Sequence, residues 1–206
     1  MKKNSIHTLV LALLTLTYIH TDAQNTNEAK TLFGSGNPIN TKNIGFFIAP
    51  SYGFTQMDGT MASLLAIRGG INIKDQFSIG SFLNTSLNEI NPQSEILTNV
   101  YMDYWSVGGF IEYTLLAKKV FHVTFPLYIG YGEVEMDNQI GEAELGEANF
   151  AQIEPSALLE VNLHKHVRFN LGAGYRFVGK MNYRNLNESD ISGVTGYVGL
   201  KFGLFK

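Results

Sequence analysis

Cysteine is absent from the 206-residue chain, which excludes a disulfide framework, a thiolate zinc site, a cysteine nucleophile and a lipoprotein anchor. Charge is scarce as well. Only 16% of residues are charged, against about 25% in an ordinary soluble domain. A formal charge of -3 and the lack of any Lys/Arg run argue against nucleic acid as a partner. Long apolar runs are also missing: no segment after the N-terminus reaches the roughly 20 apolar residues that a membrane-spanning helix needs. In their place the chain has 21 glycines and 12% aromatics, a pairing suited to β structure with close backbone approach and aromatic anchoring. The length fits one domain with a short appendage.

Lys2 and Lys3 form a basic start, and Leu9 to Ile19 form a short apolar core. Thr21-Asp22-Ala23 then offers small residues at the positions a signal peptidase reads. The apolar core has about half the length of a spanning helix, so residues 1–23 are expected to be a cleaved signal peptide with Gln24 starting the mature chain. Residues 24–42 are polar, rich in Gly and Asn, and lack an apolar period, as an extended N-terminal arm would.

From Asn43 the pattern becomes period-2. In Val167 to Phe177 the odd positions are Val, Phe, Leu, Ala, Tyr and Phe, while the even ones are Arg168, Asn170, Gly172, Gly174 and Arg176. A helix would scatter these two sets, whereas a strand puts them on opposite faces. The same separation recurs in runs beginning at Trp105, Phe121, Ile153 and Val194, and in earlier runs at about 44–57, 61–74 and 77–88. Eight strands are therefore expected over residues 43–206. Lys74-Asp75-Gln76, Ala117-Lys118-Lys119 and His164-Lys165-His166 read as tight turns. They alternate with Asp58-Gly59-Thr60 and with longer polar segments at about 88–99, 133–150 and 180–191. That alternation predicts an all-β, up-and-down antiparallel transmembrane β-barrel of about eight strands, with the short turns on the periplasmic side.

Alternation alone also allows a secreted lipocalin-like barrel. The second face decides between them. A soluble barrel needs a charged exterior, but here that face is mostly Gly, Ser, Thr and Asn with isolated charges. Small residues suit the narrow interior of eight strands, and the bulky Phe, Leu, Ile and Val positions suit lipid. Tyr101, Trp105, Tyr131, Tyr175 and Phe177 fall near the long-loop ends, where an aromatic girdle would lie.

The signal peptide, the eight alternating segments and the closing run 196–206 resemble small outer-membrane barrels of the OmpA/OmpX/OmpW type. The Gly/Asn/Tyr-rich style is similar to that of Bacteroidota members. The resemblance covers residues 43–206. It implies residence in the outer membrane of a Gram-negative bacterium, with outer-membrane lipid and the barrel-insertion machinery as partners, and a monomer. It also implies a C-terminal insertion signal, carried here by Phe202, Leu204 and Phe205. Phe205 is penultimate and falls on the face opposite Val198, Leu200, Phe202 and Leu204.

Arg68, Glu112, Glu154, Glu160, Arg168, Arg176 and Lys201 are the inward charges. Inside a narrow barrel they must be paired or hydrated, so a plug of ion pairs is expected. His122 also faces inward, but no Ser/His/Asp order accompanies it. His164 and His166 share a strand face, yet two ligands are too few for a metal site. Glu133, Glu135, Asp137, Glu142, Glu144 and Glu147 make 133–150 an acidic loop, a solvated surface where a partner could be met. Gly69-Gly70, Gly108-Gly109 and Gly130-Tyr131-Gly132 lie inside strands and read as barrel bends rather than phosphate loops. No cofactor and no catalytic residue is expected. The leading reading is a non-enzymatic barrel with a plugged lumen and a structural or surface-interaction role through its loops. The alternatives are a narrow channel or small-molecule transporter, and a lipid-modifying enzyme.

Overall fold

The computed structural model describes residues 44–97, 99–138 and 143–205, with the backbone alone at 143, 144 and 182. The expected signal peptide and N-terminal arm lie outside the described residues, as do Glu142 and Lys206.

The strands are β1 (Ile44–Met57), β2 (Thr60–Ile73), β3 (Phe77–Ser86), β4 (Val100–Leu115), β5 (Phe121–Asn138), β6 (Ala143–His164) and β7 (Val167–Val178). A small hairpin of β8 (Asn182–Tyr183) and β9 (Leu186–Asn187) and one helical turn, α1 (Glu188–Ile191), precede β10 (Gly193–Gly203). Strands β1 to β7 pair with their chain neighbours in antiparallel fashion, and β10 joins β7 to β1 to close the barrel. Eight strands thus form an up-and-down barrel.

Period-2 alternation sets its two faces. Phe46, Ile48, Ile79, Ile111, Phe125, Ile129, Leu159 and Leu171 are among the large apolar side chains exposed on the outside. Arg68, Glu112, His122, Thr124, Glu160, Asn170 and Lys201 are buried inside. An outside of this kind, with polar groups enclosed, inverts the soluble arrangement and matches an apolar solvent around the barrel.

Local chemistry sets the connections. Asp58 and Gly59 both have positive φ, 41° and 75°, the backbone required by a two-residue turn whose twist matches the strands it joins. Three prolines sit within strands. Pairing of β1 with β10 skips the level of Pro50, that of β5 with β6 skips Pro126, and that of β6 with β7 skips Pro155. Each proline lacks a donor on one side of its strand, and the ladder resumes beyond it.

Inward glycines make room for rings. A Cβ at Gly130 would lie 2.9 Å from the Phe82 ring, and one at Gly132 would lie 2.5 Å from the ring of Phe150. Phe82 in turn meets Tyr128 edge-on at 5.1 Å between centroids.

One expectation is corrected. Residues 133–150 are not a long loop: β5 and β6 continue through them as a hairpin to Asn138 and from Ala143. Glu133, Glu135, Asp137 and Glu147 are strand residues, and Glu144 belongs to β6 by its backbone. The misreading has a physical cause. Beyond the apolar band the outward positions turn acidic while Val134, Met136 and Phe150 keep the inward positions apolar, so the alternation persists with its polarity reversed.

Candidate functional site

The lumen is filled in two unlike halves. Towards the short turns lies a buried ionic cluster contributed by six strands. Arg68 on β2 donates to Glu112 on β4 at 2.8 Å and to Glu160 on β6 at 3.1 Å. Lys201 on β10 reaches the same two carboxylates at 2.6 and 3.1 Å. His122 on β5 sits 3.1 Å from Glu160. Arg168 on β7 lies 3.7 Å from Glu160 and 3.6 Å from Asp75 in the β2–β3 turn. Three fixed cations therefore face three carboxylates. Desolvated charges persist only when each is met by an opposite charge or a donor, and the strand register supplies those partners.

Two of the seven sequence-picked charges stand apart from this cluster. The Glu154 carboxylate accepts from the Tyr197 hydroxyl at 2.6 Å and from Ser156 at 3.3 Å. Arg176 donates to the Ile191 carbonyl at 3.0 and 2.8 Å and to Thr55 and Thr195, with Tyr104 under its guanidinium at 5.0 Å. Its task is to tie α1 to the barrel wall. Between the two groups a cavity of about 20 Å³ touches Arg68, Tyr128, Asn170 and Tyr197, enough for one water at the roughly 10–15 Å³ such a molecule requires.

Towards the long loops the filling is apolar. Met57, Leu64, Met102, Tyr104, Val134, Met136 and Phe150 from the strands pack with Ile90, Met181, Leu186 and Ile191 from the loops. Tyr104 and Phe150 stack at 6.2 Å. This layer seals the lumen above the charges.

Over the seal the loops form a bonded cap, with the β1–β2 turn as its hub. Asp58 donates its N–H to the Asp190 carbonyl, and its carboxylate accepts from the Ser94 N–H, both at 2.7 Å. Thr60 bonds the Asn91 carbonyl at 2.6 Å. Arg184 grips Glu95 at 2.7 and 3.3 Å, and Asn185 bonds the Ser94 carbonyl. Asn187 caps α1 with a reciprocal bond from Asp190, satisfying donors that a helix start leaves open. On the cap, Ile96 is 87% exposed and Leu97 is exposed beside it.

The Arg184 hydrogen bond holds the Glu95 carboxyl below the usual carboxylate range, assisted by the N–H groups of Leu97 and Ile96. A lowered folded pKa means that the clamp's contribution is complete above the unfolded pKa and is lost as pH falls through the folded value. Backbone order parameters at Ile96 and Leu97 should accordingly stay high at neutral pH and fall only in acid below the ordinary carboxylate range. Arg184→Ala should lower them already at neutral pH, and mobility that is independent of both changes would contradict the clamp.

Neither a family model nor a curated protein sequence matches the chain. Solved structures do. Neisserial surface protein A aligns with 79% of this chain and 97% of its own, at 11% identity and a TM-score of 0.54. A major outer membrane protein from Thermus thermophilus covers 78% and 98%, at 8% identity and 0.56. The outer membrane protein OprG from Pseudomonas aeruginosa covers 80% and 98%, at 9% identity and 0.50. The chain has the fold of a small outer-membrane β-barrel. At such identities the likeness is one of fold.

On this outer-membrane-type barrel, the five aromatics picked from the sequence occupy outward strand positions. Tyr131, Tyr175 and Phe177 are exposed near the loop end, with Tyr101 and Trp105 half-buried on the same face. Trp105 donates to Glu133 at 3.0 Å, so its ring rests on the apolar band while its N–H meets the acidic strip above. Asp103, Glu135 and Glu147 stand opposite one another on β4, β5 and β6 in that strip. Phe202 and Leu204 point outward, while Phe205 turns into the barrel mouth and stacks on Arg168 at 3.7 Å. His164 and His166 lie in the β6–β7 turn, and His166 bonds the Gly203 carbonyl. Among the described residues no group of metal-ligating side chains is assembled. Sequence reading missed Asp75, Tyr128 and Tyr197 in the lumen and the Glu95–Arg184 clamp. Tyr128 and Tyr197 were open to it, since both occupy inward positions of their runs.

Proposed function

We propose that the protein is a non-enzymatic barrel of the outer membrane of a Gram-negative bacterium, a monomer with its short turns in the periplasm. Its lumen is closed, and its loop cap presents a surface for a partner. The observation that carries this reading is the cap itself. Two long loops and the β1–β2 turn are bonded into one body that holds Ile96 and Leu97 out to solvent. Ordering loops costs roughly 1–2 kcal/mol per residue, and exposing apolar side chains on an ordered loop serves recognition rather than stability.

The closed lumen supports the same reading over a channel. Ions would have to break the Arg68–Glu112–Lys201–Glu160 pairs and then pass the apolar layer around Tyr104 and Phe150. Planar-bilayer recordings of the purified barrel should therefore show no steady openings, and ion-selective conductance would overturn the closed-lumen reading. Surface presentation is tested by Ile96→Ser/Leu97→Ser, which should abolish adhesion of expressing cells to the cognate surface while leaving the barrel folded. Undiminished adhesion would refute that role.

A further inference from the structure

At the turn end, a recess of about 430 Å³ is lined by Lys118 of the β4–β5 turn, by His164 and Lys165 of the β6–β7 turn, and by Leu163, Arg168 and Phe205. Lys118, His164 and Lys165 are exposed. Arg168 is different. Only 3% of it is exposed, it is stacked on Phe205, and its Nε–H has no hydrogen-bond partner. Its other nitrogens stand 3.6 Å from Asp75, which also lines the recess, and 3.7 Å from Glu160.

A buried N–H without an acceptor carries a desolvation cost, and here it belongs to a guanidinium that lines the recess. Guanidinium geometry suits a phosphate in particular. Arg168 alone would not hold one, because the cluster behind it already balances three cations with three carboxylates. The positive excess comes from the rim, where Lys118 and Lys165 border the recess. The recess also adjoins the edge of the outer apolar band, since Leu115, Leu116, Val120, Phe121 and Leu163 are all exposed there. In a bilayer that edge lies at the level of the headgroups.

We propose that the turn-end recess binds a phosphate group, carried either by an anionic phospholipid or by a free phosphate anion. The inference rests on the barrel standing in a membrane as read above. The recess contributes the Lys118 and Lys165 ammonium groups with the buried Arg168 guanidinium in its wall, and the stacked Phe205 ring excludes water from one face of that guanidinium.

The test uses the folded chain in two kinds of nanodisc, one of phosphatidylcholine alone and one that also contains phosphatidylglycerol. Native mass spectrometry reads which lipid is retained, and calorimetry reads inorganic phosphate added to the phosphatidylcholine discs. Preferential retention of phosphatidylglycerol supports the site and assigns it to a headgroup; saturable binding of inorganic phosphate supports it and assigns a free anion. Either affinity should fall about thirtyfold in Lys118→Gln/Lys165→Gln, as expected when two basic groups near an anionic ligand are neutralised. Lys74→Gln, outside the recess, should leave it unchanged. Binding of neither probe overturns the proposal, as does binding that Lys118→Gln/Lys165→Gln leaves intact or that Lys74→Gln lowers equally. Folding is followed by the heat-dependent gel shift of a barrel. A chain without that shift overturns the membrane-barrel reading and the site with it, whereas an intact shift without binding overturns the site alone.

Discussion

Replacing Glu160 by alanine is expected to destabilise the folded barrel by about 3–5 kcal/mol, the range for breaking a buried ion pair from one side. Glu160 accepts from Arg68, Lys201 and His122, and Arg168 stands beside it. Its loss would leave three buried cations facing the carboxylates of Glu112 and Asp75 alone. Urea unfolding in lipid vesicles, followed by the fluorescence of the single Trp105, reads the change. The contrast is Arg184→Ala. It breaks the clamp to Glu95 at the loop cap, and an ion pair with a solvent-facing partner contributes far less than one enclosed on all sides. If Glu160→Ala cost no more than Arg184→Ala, the lumen charges would be hydrated individually and would not form a plug.

The second large effect belongs to the apolar seal. Phe150→Ala should cost about 3–5 kcal/mol, the usual range for deleting a buried aromatic side chain. Its ring lies over Gly132 and stacks on Tyr104, so truncation leaves a void bordered by a residue with no side chain to fill it. Partial recovery is expected from Gly132→Ala in the Phe150→Ala background, because the added methyl enters space the ring has left. Gly132→Ala alone should destabilise, since its Cβ would meet the ring at 2.5 Å. A double variant less stable than Phe150→Ala would show that the two positions do not share that space.

The fold was legible because one physical signal repeats along the chain. Runs such as Val167–Val178 separate bulky apolar positions from small polar ones, and the structure keeps that separation around the whole barrel. The turns were legible too, since Asp58-Gly59 and Lys74-Asp75 adopt positive φ at the positions expected to reverse the chain. The acidic hairpin was not, because the polarity of its outward face reverses where β5 and β6 leave the apolar band. Partnership in the lumen was only half visible. Alternation says that Arg68, Glu112, Glu154, Glu160, Arg168, Arg176 and Lys201 point inward, but it cannot give their heights. Stagger between strands puts Glu154 beside Tyr197 and Arg176 beneath α1, away from the other five. The loop cap was invisible, since Asp58, Ser94, Glu95 and Arg184 are brought together by closure of the barrel and by no local pattern.

The account stands on a closed, membrane-embedded barrel, and its most direct test is the mobility of outer-membrane-extracted protein in a detergent gel, unheated against boiled. A folded barrel resists detergent at low temperature and migrates apart from its boiled form, so two distinct bands are predicted, with the unheated band shifting fully on boiling. A single band of unchanged mobility would contradict the barrel, and with it the lumen plug, the loop cap and the turn-end site.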